Sequence, residues 1–529
     1  MQVCPAGGQR GFDLTVSGRR LAAPDIPGET LMDYAAALFR ASSLEPEKTA
    51  IIDGARVWTW SQFTDLAART ASALVDAGLR QGDRVSCLSE NSAHFMVLYS
   101  AVIIAGGCIV PLPTGAQPDA LARMHRGSGA THLFASPALM KTARTLGADH
   151  LHDLSTLEAF AQSAVPHEPA PASPDALFDI IYSSGTTGTP KGIVHDHRFR
   201  ARQLDRMPQF GLKADAVLMV ATPMYSNTTL VAVLPVLAHG GTLVVMSKFD
   251  TEGFLDRSQT HRATHAMLVP VQYMRLMDDP RFDTYDLSAY RAKLSTSAPL
   301  PRPLIERVLK RWPGELYEFY GMTEGGVTTV LDCRNHPDKL DSVGRPAEGC
   351  DLRIIGPDRA ELAIGEVGEI VGRSGSMMPA YFNEPTKTED LRWQNAAGED
   401  FIRTGDIGRV DAEGFLTLLD RQKDVINSGG QNVFAADLEQ ILRTHPAVAD
   451  VAVIAVPCPT WGETPLALVV RAEPVTKTTS EAALLNWANE RLGKMQRLSA
   501  ISFTTDLPRS DIGKILKREL RARYWDKAQ

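Results

Sequence analysis

The most informative stretch of this chain is Ser183-Ser184-Gly185-Thr186-Thr187-Gly188-Thr189-Pro190-Lys191-Gly192. It combines glycines, hydroxyl side chains and one lysine, and the apolar run at residues 176–182 before it is typical of a strand. Glycines let the backbone approach an anion, and successive N–H groups and hydroxyls can donate to phosphate oxygens. The stretch therefore predicts a polyphosphate-binding loop after a strand; a solvated Gly/Thr turn is the plainer alternative.

The commonest nucleotide-binding loop has a different spacing. It requires Gly, four residues and then Gly-Lys-Ser/Thr. Counted from Gly185, the position of the second glycine holds Pro190, and Lys191 is followed by Gly192. The spacing therefore disfavours a phosphate loop of the GTPase or ATPase kind.

Bulk properties narrow the class of protein. The 529 residues are too many for one compact core, so two or more domains are expected. The formal net charge of −7 argues against a nucleic-acid partner and against binding to anionic membranes. No apolar run is long enough to span a membrane. The six scattered cysteines and the absence of a secretory pattern at the N-terminus predict a cytoplasmic protein.

The order of helix and strand patterns predicts an α/β fold. Residues 84–88 are typical of a buried strand, 94–105 of a helix and 108–112 of the next strand. This βαβ rhythm predicts parallel sheets with helices on their faces. Short strands with Gly-rich turns at about Gly349 to Leu419 predict a small β subdomain, and the α/β rhythm returns after Asp420.

The loop at residues 183–192 resembles the phosphate loop of the adenylate-forming superfamily, which includes acyl-CoA synthetases, luciferases and adenylation domains of peptide synthetases. Further segments resemble the same family in the expected order: Tyr317–Glu324, Arg403–Asp406, Asp420–Val433 and Pro508–Ile515. The resemblance spans roughly Leu31 to Arg521. It implies a large N-terminal domain of several subdomains, residues 1–419, and a small mobile C-terminal α/β domain, residues 420–529.

The resemblance also implies how ATP is bound. The implied phosphate contacts are Ser183, Ser184, Gly185, Thr186, Thr187, Gly188 and Lys191. Glu324 and Thr187 would hold Mg²⁺, a hard cation suited to oxygen ligands. Tyr320 would stack on adenine against the Ser297-Ala298-Pro299 turn, although an aromatic run before a glycine is often core. The rest of the implied nucleotide segment is Glu318, Phe319, Gly321, Met322 and Thr323.

Other roles implied by the resemblance belong to residues far along the chain. Asp406 would accept hydrogen bonds from both ribose hydroxyls, with Arg421 as a further contact; a carboxylate that caps a turn is the alternative for Asp406. Asp420 would be the hinge, and Ser428, Gly429 and Gly430 would face coenzyme A, although a plain Gly hairpin also fits these glycines. Lys514 would be the catalytic cation, acting with Glu324 and Thr187; a solvated Gly-Lys turn is the alternative.

The implied reaction is the ATP-dependent ligation of a carboxylic acid to coenzyme A through an acyl-adenylate, with release of AMP and pyrophosphate. The predicted acyl pocket comprises Tyr225, Ser226, Asn227, Ala298, Gly321, Gly326 and Val327. The segments resemble aryl-, cinnamate- and fatty acid–CoA ligases, and aromatic acids such as hydroxycinnamates are slightly favoured. The alternatives are a carrier-protein thiol as acceptor, a luciferase-like oxygenase and a non-catalytic nucleotide sensor. A homodimer is suggested by the family alone.

For two further segments, the sequence favours a structural role over a functional one. The pair His195 and His197 brackets Asp196, but two imidazoles without a third ligand are a weak metal signal, and a structural role is favoured. The segment from Tyr381 to Thr388 resembles a family segment and is also interpreted as structural.

Overall fold

The structure is a computed structural model that describes residues 20–24, 31–169, 172–183, 190–472, 479–493, 496–510, 513 and 515–525. Up to Ser183 the elements are α1 (Tyr34–Leu44), β1 (Thr49–Asp53), β2 (Arg56–Thr59), α2 (Trp60–Asp76), β3 (Arg84–Leu88), α3 (Ala93–Ile104), β4 (Cys108–Pro111), α4 (Pro118–Ser128), β5 (His132–Ala135), α5 (Met140–Ala143), β6 (His150–Asp153), α6 (Leu157–Ala161) and β7 (Leu177–Ser183).

From Lys191 to Asp332 they are β8 (Lys191–Asp196), α7 (His197–Arg206), β9 (Val217–Val220), α8 (Asn227–Ala238), β10 (Thr242–Val245), α9 (Thr251–Thr260), β11 (His265–Leu268), α10 (Pro270–Asp278), β12 (Ala292–Ser295), α11 (Arg302–Arg311), β13 (Glu315–Gly321) and β14 (Thr328–Asp332). From Arg345 to Arg421 they are β15 (Arg345–Pro346), β16 (Asp351–Ile355), β17 (Gly368–Arg373), α12 (Pro385–Asp390), β18 (Arg392–Gln394), β19 (Asp400–Val410) and β20 (Leu416–Arg421).

The last elements are β21 (Ile426–Ser428), β22 (Gln431–Val433), α13 (Ala435–Arg443), β23 (Val448–Cys458), β24 (Gly462–Arg471), α14 (Glu481–Asn489), β25 (Ala500–Thr504) and α15 (Lys517–Trp525). Short 3₁₀ helices lie at Pro137–Leu139, Leu154–Thr156, Met207–Phe210, Phe282–Thr284, Pro337–Lys339 and Gln422–Asp424.

Across the described ranges these strands form four sheets, and the first two are mainly parallel. One has the order β6-β5-β3-β4-β7-β8, with the last pair antiparallel. The larger one has the order β15-β14-β13-β12-β11-β9-β10-β1-β2 and is parallel from β13 to β1. The α/β prediction is confirmed, and the strand predicted at 84–88 coincides with β3.

The other two sheets are smaller. Strands β16 to β20 form an antiparallel sheet, which confirms the predicted β subdomain. Strands β21 to β25 form the last sheet, and its helices α13 and α14 close a separate apolar cluster that includes Ile426, Leu438, Val453 and Leu484. A self-contained core is what a separate small domain requires.

The most apolar helix, α3, is buried along its whole length. Every residue of it is shielded from solvent, and it packs against α2 and lies in the largest apolar cluster of the chain. A surface helix has one apolar face, whereas α3 is apolar on all sides. Its sequence is therefore that of a core helix. Among the described residues, no helix has the length and apolar character needed to cross a membrane.

A fully buried carboxylate lies on β7 shortly before the phosphate loop. Asp179 accepts from Arg200 on α7, with Nη2 at 2.5 Å and Nε at 3.0 Å from Oδ2. Tyr99 on α3 donates its hydroxyl to the same oxygen at 2.5 Å, and Nδ1 of His195 lies 2.6 Å from Oδ1. Burial acts to raise the pKa of Asp179, but Arg200 and His195 outweigh it and hold the pKa below its usual range.

This cluster reaches two segments of the predicted site. Arg200 donates from Nη1 to Oδ1 of Asn227 at 2.7 Å, and Nε2 of His195 lies 2.8 Å from the carbonyl oxygen of Thr323. Both ring nitrogens of His195 therefore contact protein oxygens, which agrees with the structural role favoured for this histidine. The cluster connects the strand before the phosphate loop to the predicted acyl and nucleotide segments.

We expect Asp179→Asn to lower the free energy of unfolding by about 3–5 kcal/mol, because it leaves the buried guanidinium of Arg200 without its counter-charge. The matched control is Asp175→Asn, which removes an exposed carboxylate 3.3 Å from Arg198. We expect the control to cost about 1 kcal/mol or less. Urea unfolding followed by tryptophan fluorescence measures both, and equal losses in the two variants would contradict the importance of the buried pair.

Candidate active site

The phosphate loop closes a β-hairpin. Strands β7 and β8 are antiparallel, and Ser183 pairs with Lys191 across the ladder. The predicted contacts Ser184, Gly185, Thr186, Thr187 and Gly188 lie outside the described residues. Ser183 and Lys191 stand at the two ends of the loop. The Nζ atom of Lys191 lies 4.9 Å from the centre of the Tyr381 ring, within the range of a cation–π contact.

Tyr381 also contacts the predicted metal ligand. Its hydroxyl donates to Oε1 of Glu324 at 2.7 Å, and the backbone N–H of Met378 donates to the Glu324 carbonyl at 2.8 Å. Burial raises the pKa of Tyr381, and the adjacent Glu324 carboxylate raises it further. The tyrosine is therefore a neutral donor at physiological pH. It brings the phosphate-loop lysine and the metal-binding candidate into one group.

The predicted ribose site is a second group. Asp406 on β19 pairs with Arg421 on β20, and Nε of the arginine lies 2.7 Å from Oδ1 of the carboxylate. The hydroxyl of Tyr320 on β13 donates to the other oxygen of Asp406 at 2.9 Å. Arg421 also acts electrostatically on Tyr381, opposing the rise of its pKa. Arg421 is therefore close enough to act on Tyr381, and the two groups bring together side chains from different sheets.

The Ser297–Pro299 turn is held from two sides. Ser297 has a φ of 78°, an unusual value for a residue with a side chain, and its hydroxyl lies 2.8 Å from that of Thr228 at the start of α8. Beyond the turn, the N–H of Leu300 donates to Oε1 of Glu318 at 2.6 Å. Strain of this kind persists where surrounding contacts enforce it, and these hydrogen bonds do so.

Two residues of the predicted nucleotide segment have side chains occupied by protein contacts. Glu318 is buried on β13 and holds the turn through Leu300, and burial raises its pKa to about 8. Phe319 packs against Phe210, with ring centres 4.9 Å apart. Side chains alternate along a strand, so Glu318 and Phe319 point to opposite faces of β13. These contacts make Glu318 and Phe319 supports of the turn and core.

The predicted acyl segments lie at the start of α8 and after β13. Ser226 is the N-cap of α8, and its hydroxyl accepts from the N–H of Thr228. Val327 is buried, and a Cβ added to Gly321 would lie 3.1 Å from its carbonyl oxygen. The remaining members of the set, close to these in sequence, are Tyr225, Asn227, Ala298 and Gly326. A Cβ at Gly326 would lie 2.8 Å from the carbonyl oxygen of Gly372, so this glycine permits close packing against the β subdomain.

The hinge candidate is well fixed in this structure. Asp420 accepts from the N–H of Arg421 at 2.8 Å and from the N–H of Ala435 at 2.7 Å. Burial raises its pKa, although Lys517 opposes the rise. At the turn between β21 and β22, Gly429 and Gly430 both have positive φ, and Ser428 ends β21.

Lys514 lies outside the described residues, but its neighbour Gly513 locates this end of the chain. A Cβ added to Gly513 would lie 2.8 Å from a methyl carbon of Val271, at the start of α10. Gly513 itself therefore lies against α10 in this structure.

Comparison with known proteins identifies the family. Residues 38–382 match the AMP-binding enzyme family, and residues 437–514 match the AMP-binding enzyme C-terminal domain. The chain belongs to the AMP-binding enzyme family. It is 33% identical to a feruloyl-CoA synthase from Amycolatopsis sp. over 488 residues, which cover 92% of this chain and 98% of the relative. It is 29% identical to 4-coumarate–CoA ligase 3 from Arabidopsis thaliana, covering 94% and 93% of the two chains.

The fold agrees with a solved member of this family. ATP-bound MatB from Rhodopseudomonas palustris superposes with a TM-score of 0.86 at 30% identity, covering 94% of this chain and all of that one. The activity of this AMP-binding enzyme is ATP-dependent ligation of a carboxylic acid to coenzyme A through an acyl-adenylate. Its substrates include ATP and coenzyme A, and its metal is Mg²⁺.

The described residues fit a magnesium ion that is bound partly by the protein and partly by the phosphates of ATP. Within the described part of the chain, no group of three or more His, Cys, Asp or Glu side chains could hold a metal by itself. Glu324 offers one carboxylate, and only one of its oxygens accepts from Tyr381. Magnesium commonly binds through one or two carboxylates and substrate phosphates, which matches this sparse set.

Several supporting residues were missed from the sequence. Tyr381 lies in a segment interpreted as structural, Thr228 in the stretch predicted to border the acyl pocket and Asp179 in the predicted strand before the phosphate loop, but no supporting role follows for their side chains from the sequence. Alternation along β13 puts Glu318 on the opposite face from Tyr317 and Phe319, and the structure buries that face together with Leu316. No pattern in the sequence pairs Tyr381 with Glu324, since the two lie in different segments that meet only in the folded chain.

Glu318 gives a pH-dependent stability. Its pKa is about 8 in the folded chain and near 4.5 when exposed, so the unfolded chain loses this proton first as pH rises. The free energy of unfolding should therefore fall across pH 5 to 8 by up to about 1.4 kcal/mol per pH unit from this group. We expect Glu318→Gln to keep the acceptor for Leu300 and to remove this fall.

The measurement is the thermal midpoint of both proteins from pH 5 to pH 8. Glu318→Gln should gain on the wild type as pH rises, whereas the control Glu306→Gln, which removes an exposed carboxylate on α11, should follow the wild type. Parallel pH profiles for wild type and Glu318→Gln would show that the carboxyl is ionised in the folded chain.

Proposed function

We propose that the acid activated by this ligase is an aromatic monocarboxylic acid of the hydroxycinnamate type, with a fatty acid as the alternative. The proposal is supported by the relatives that are named for ferulate and coumarate. A relative named for long-chain fatty acids, at 31% identity, keeps the alternative open. The acceptor is coenzyme A, as in these relatives.

The preference for an acid with a single carboxylate is argued from the charge pairing of Arg200. This arginine reaches the start of α8 through Asn227, where a second carboxylate of the acid would need a cation. Its charge is already matched by Asp179 at 2.5 Å, and it is buried. With this cation neutralised, the predicted acyl segments favour an acid whose far end is uncharged.

The residue roles are also part of the proposal. The loop from Ser183 to Lys191 binds the phosphates, and Glu324 with Thr187 binds Mg²⁺, which neutralises phosphate charge when bound. Asp406 and Arg421 hold the ribose, since a carboxylate can accept from two adjacent hydroxyls. Tyr320 and the Ser297–Pro299 turn border adenine. The distances that join Tyr320, Asp406 and Arg421 support this assignment.

We assign the domain boundary to Asp420, with residues 1–419 and 420–529 as the two domains. The carboxylate of Asp420 accepts from the N–H of Arg421 at the end of β20 and from the N–H of Ala435 at the start of α13, so it connects the sheet of the β subdomain to the first helix of the small domain. Adenylation uses Lys514 beside the large domain, as the contact of Gly513 with Val271 suggests. Rotation about Asp420 then presents Ser428–Gly430 to coenzyme A.

We also infer that the enzyme is cytoplasmic. The described cysteines are free thiols, which suits the reducing cytoplasm. Association as a homodimer stays a prediction of the family resemblance.

The substrate proposal is tested by a panel of acids in an assay of pyrophosphate release, with and without coenzyme A. We expect ferulate and 4-coumarate to give the highest kcat/KM, a saturated fatty acid to be lower, and a dicarboxylic acid to be lowest. Coenzyme A should be required for continued release of AMP. A higher kcat/KM for long-chain fatty acids would favour the fatty-acid alternative. A higher kcat/KM for a dicarboxylic acid would contradict the proposal that the far end of the acid is uncharged.

The role of Lys514 has its own test. We expect Lys514→Ala to slow adenylate formation by roughly two to three orders of magnitude, equivalent to about 3–4 kcal/mol, because a cation that stabilises the transition state is lost. Thioester formation from supplied acyl-adenylate should persist. The control Arg518→Ala removes an exposed cation nearby on α15 and should leave both steps unchanged. Adenylate formation at the wild-type rate in Lys514→Ala would refute the assignment.

A further inference from the structure

Tyr381 lies where the phosphate loop, the small β subdomain and the metal-binding candidate meet. Its side chain is only 4% exposed. The main chain is fixed against β8, because Tyr381 forms a β-bridge with Ile193 and the N–H of Phe382 donates to the carbonyl of Gly192 at 2.7 Å. The N–H of Tyr381 also donates to Thr388 at 3.0 Å. The ring therefore has a fixed position relative to the strand that leaves the phosphate loop.

The two ends of this side chain contact groups of opposite charge. The ring face lies 4.9 Å from Nζ of Lys191, and the hydroxyl donates to Oε1 of Glu324 at 2.7 Å. We propose that Tyr381 is a positioning residue that holds the phosphate-loop cation and the metal-binding carboxylate at a fixed separation, and so sets the affinity of the site for Mg²⁺. The inference rests on the proposed role of Glu324 as a magnesium ligand.

Within the described residues, the hydroxyl of Tyr381 supplies the hydrogen bond that orients the Glu324 carboxylate. The main chain around Glu324 is fixed by other contacts, since Met378 donates to its carbonyl and Nε2 of His195 lies 2.8 Å from the carbonyl of Thr323. The bond from Tyr381 occupies Oε1 and leaves Oε2 for the cation. Partners of this kind around a metal ligand fix its orientation, and their loss commonly weakens metal binding by about 10–100-fold.

The two contacts of Tyr381 can be separated by substitution, because they involve different parts of the side chain. The ring faces a cation on one side while its hydroxyl faces an anion at the edge. Phenylalanine retains the first contact and loses the second, so one substitution separates them.

The test is the Mg²⁺ dependence of acid-dependent ATP–pyrophosphate exchange. We expect Tyr381→Phe to raise the Mg²⁺ concentration for half-maximal rate by about tenfold or more, with most of kcat recovered at saturating Mg²⁺. Tyr381→Leu should show the same increase and also raise the KM for ATP several-fold, because Lys191 loses the ring. Half-saturation does not depend on the fraction of enzyme that is folded, so a stability loss alone would not produce this result.

Two controls make the result specific. Tyr290→Phe removes another buried hydroxyl, 2.8 Å from Ser258 and remote in sequence from these segments, and should keep the wild-type Mg²⁺ dependence. In a Glu324→Gln background, Tyr381→Phe should have no further effect on half-saturation, because the carboxylate that it orients is absent.

The inference is overturned if Tyr381→Phe has the wild-type half-saturation for Mg²⁺, or if it lowers the rate equally at every Mg²⁺ concentration. Both outcomes require an active wild type, so they leave the proposed function intact. Absence of exchange in the wild type with every acid would instead refute the proposed function, and this inference with it.

Discussion

The buried charge of Asp179 is the constraint on which the site depends. A carboxylate removed from water is tolerated only when its oxygens are fully engaged, and its partners come from α3, β8 and α7. Each partner must keep its place for the charge to remain compensated. Because Arg200 extends to Asn227 and His195 to Thr323, the same requirement fixes the start of α8 and the main chain before Glu324.

The candidate site is assembled from more than one sheet. Tyr320 lies on the nine-stranded sheet of the described chain, whereas Asp406 and Arg421 lie on the small β subdomain. The close approach depends on Gly325, which has a φ of 75° and leaves no room for a Cβ, since that atom would lie 2.0 Å from the carbonyl oxygen of Ser376. Under the proposed roles of Tyr320, Asp406 and Arg421, nucleotide binding requires these two subdomains to be packed together.

Local patterns in the sequence predict the helices and strands, but they do not predict which side chains meet in the folded chain. The strand at 84–88 and the β subdomain followed from apolar alternation and turn residues, which act over a few positions. The segments that resemble the family contribute Tyr320, Asp406 and Arg421, and the structure places these three side chains in contact. The pairing of Tyr381 with Glu324 and the buried state of Glu318 depend on packing between distant segments, which composition and periodicity do not encode.

The contacts of Asp420 are compatible with both rigidity and rotation. Its two hydrogen bonds to main-chain N–H groups fix the present arrangement, and each contributes only about 1 kcal/mol net because water can replace a partner. The contact of Gly513 with Val271 is a small apolar one, made possible by the absence of a side chain. Under the proposed hinge role of Asp420, a pivot held by a few replaceable bonds would release the small domain at modest cost, whereas the buried Asp179 cluster would hold the large domain unchanged.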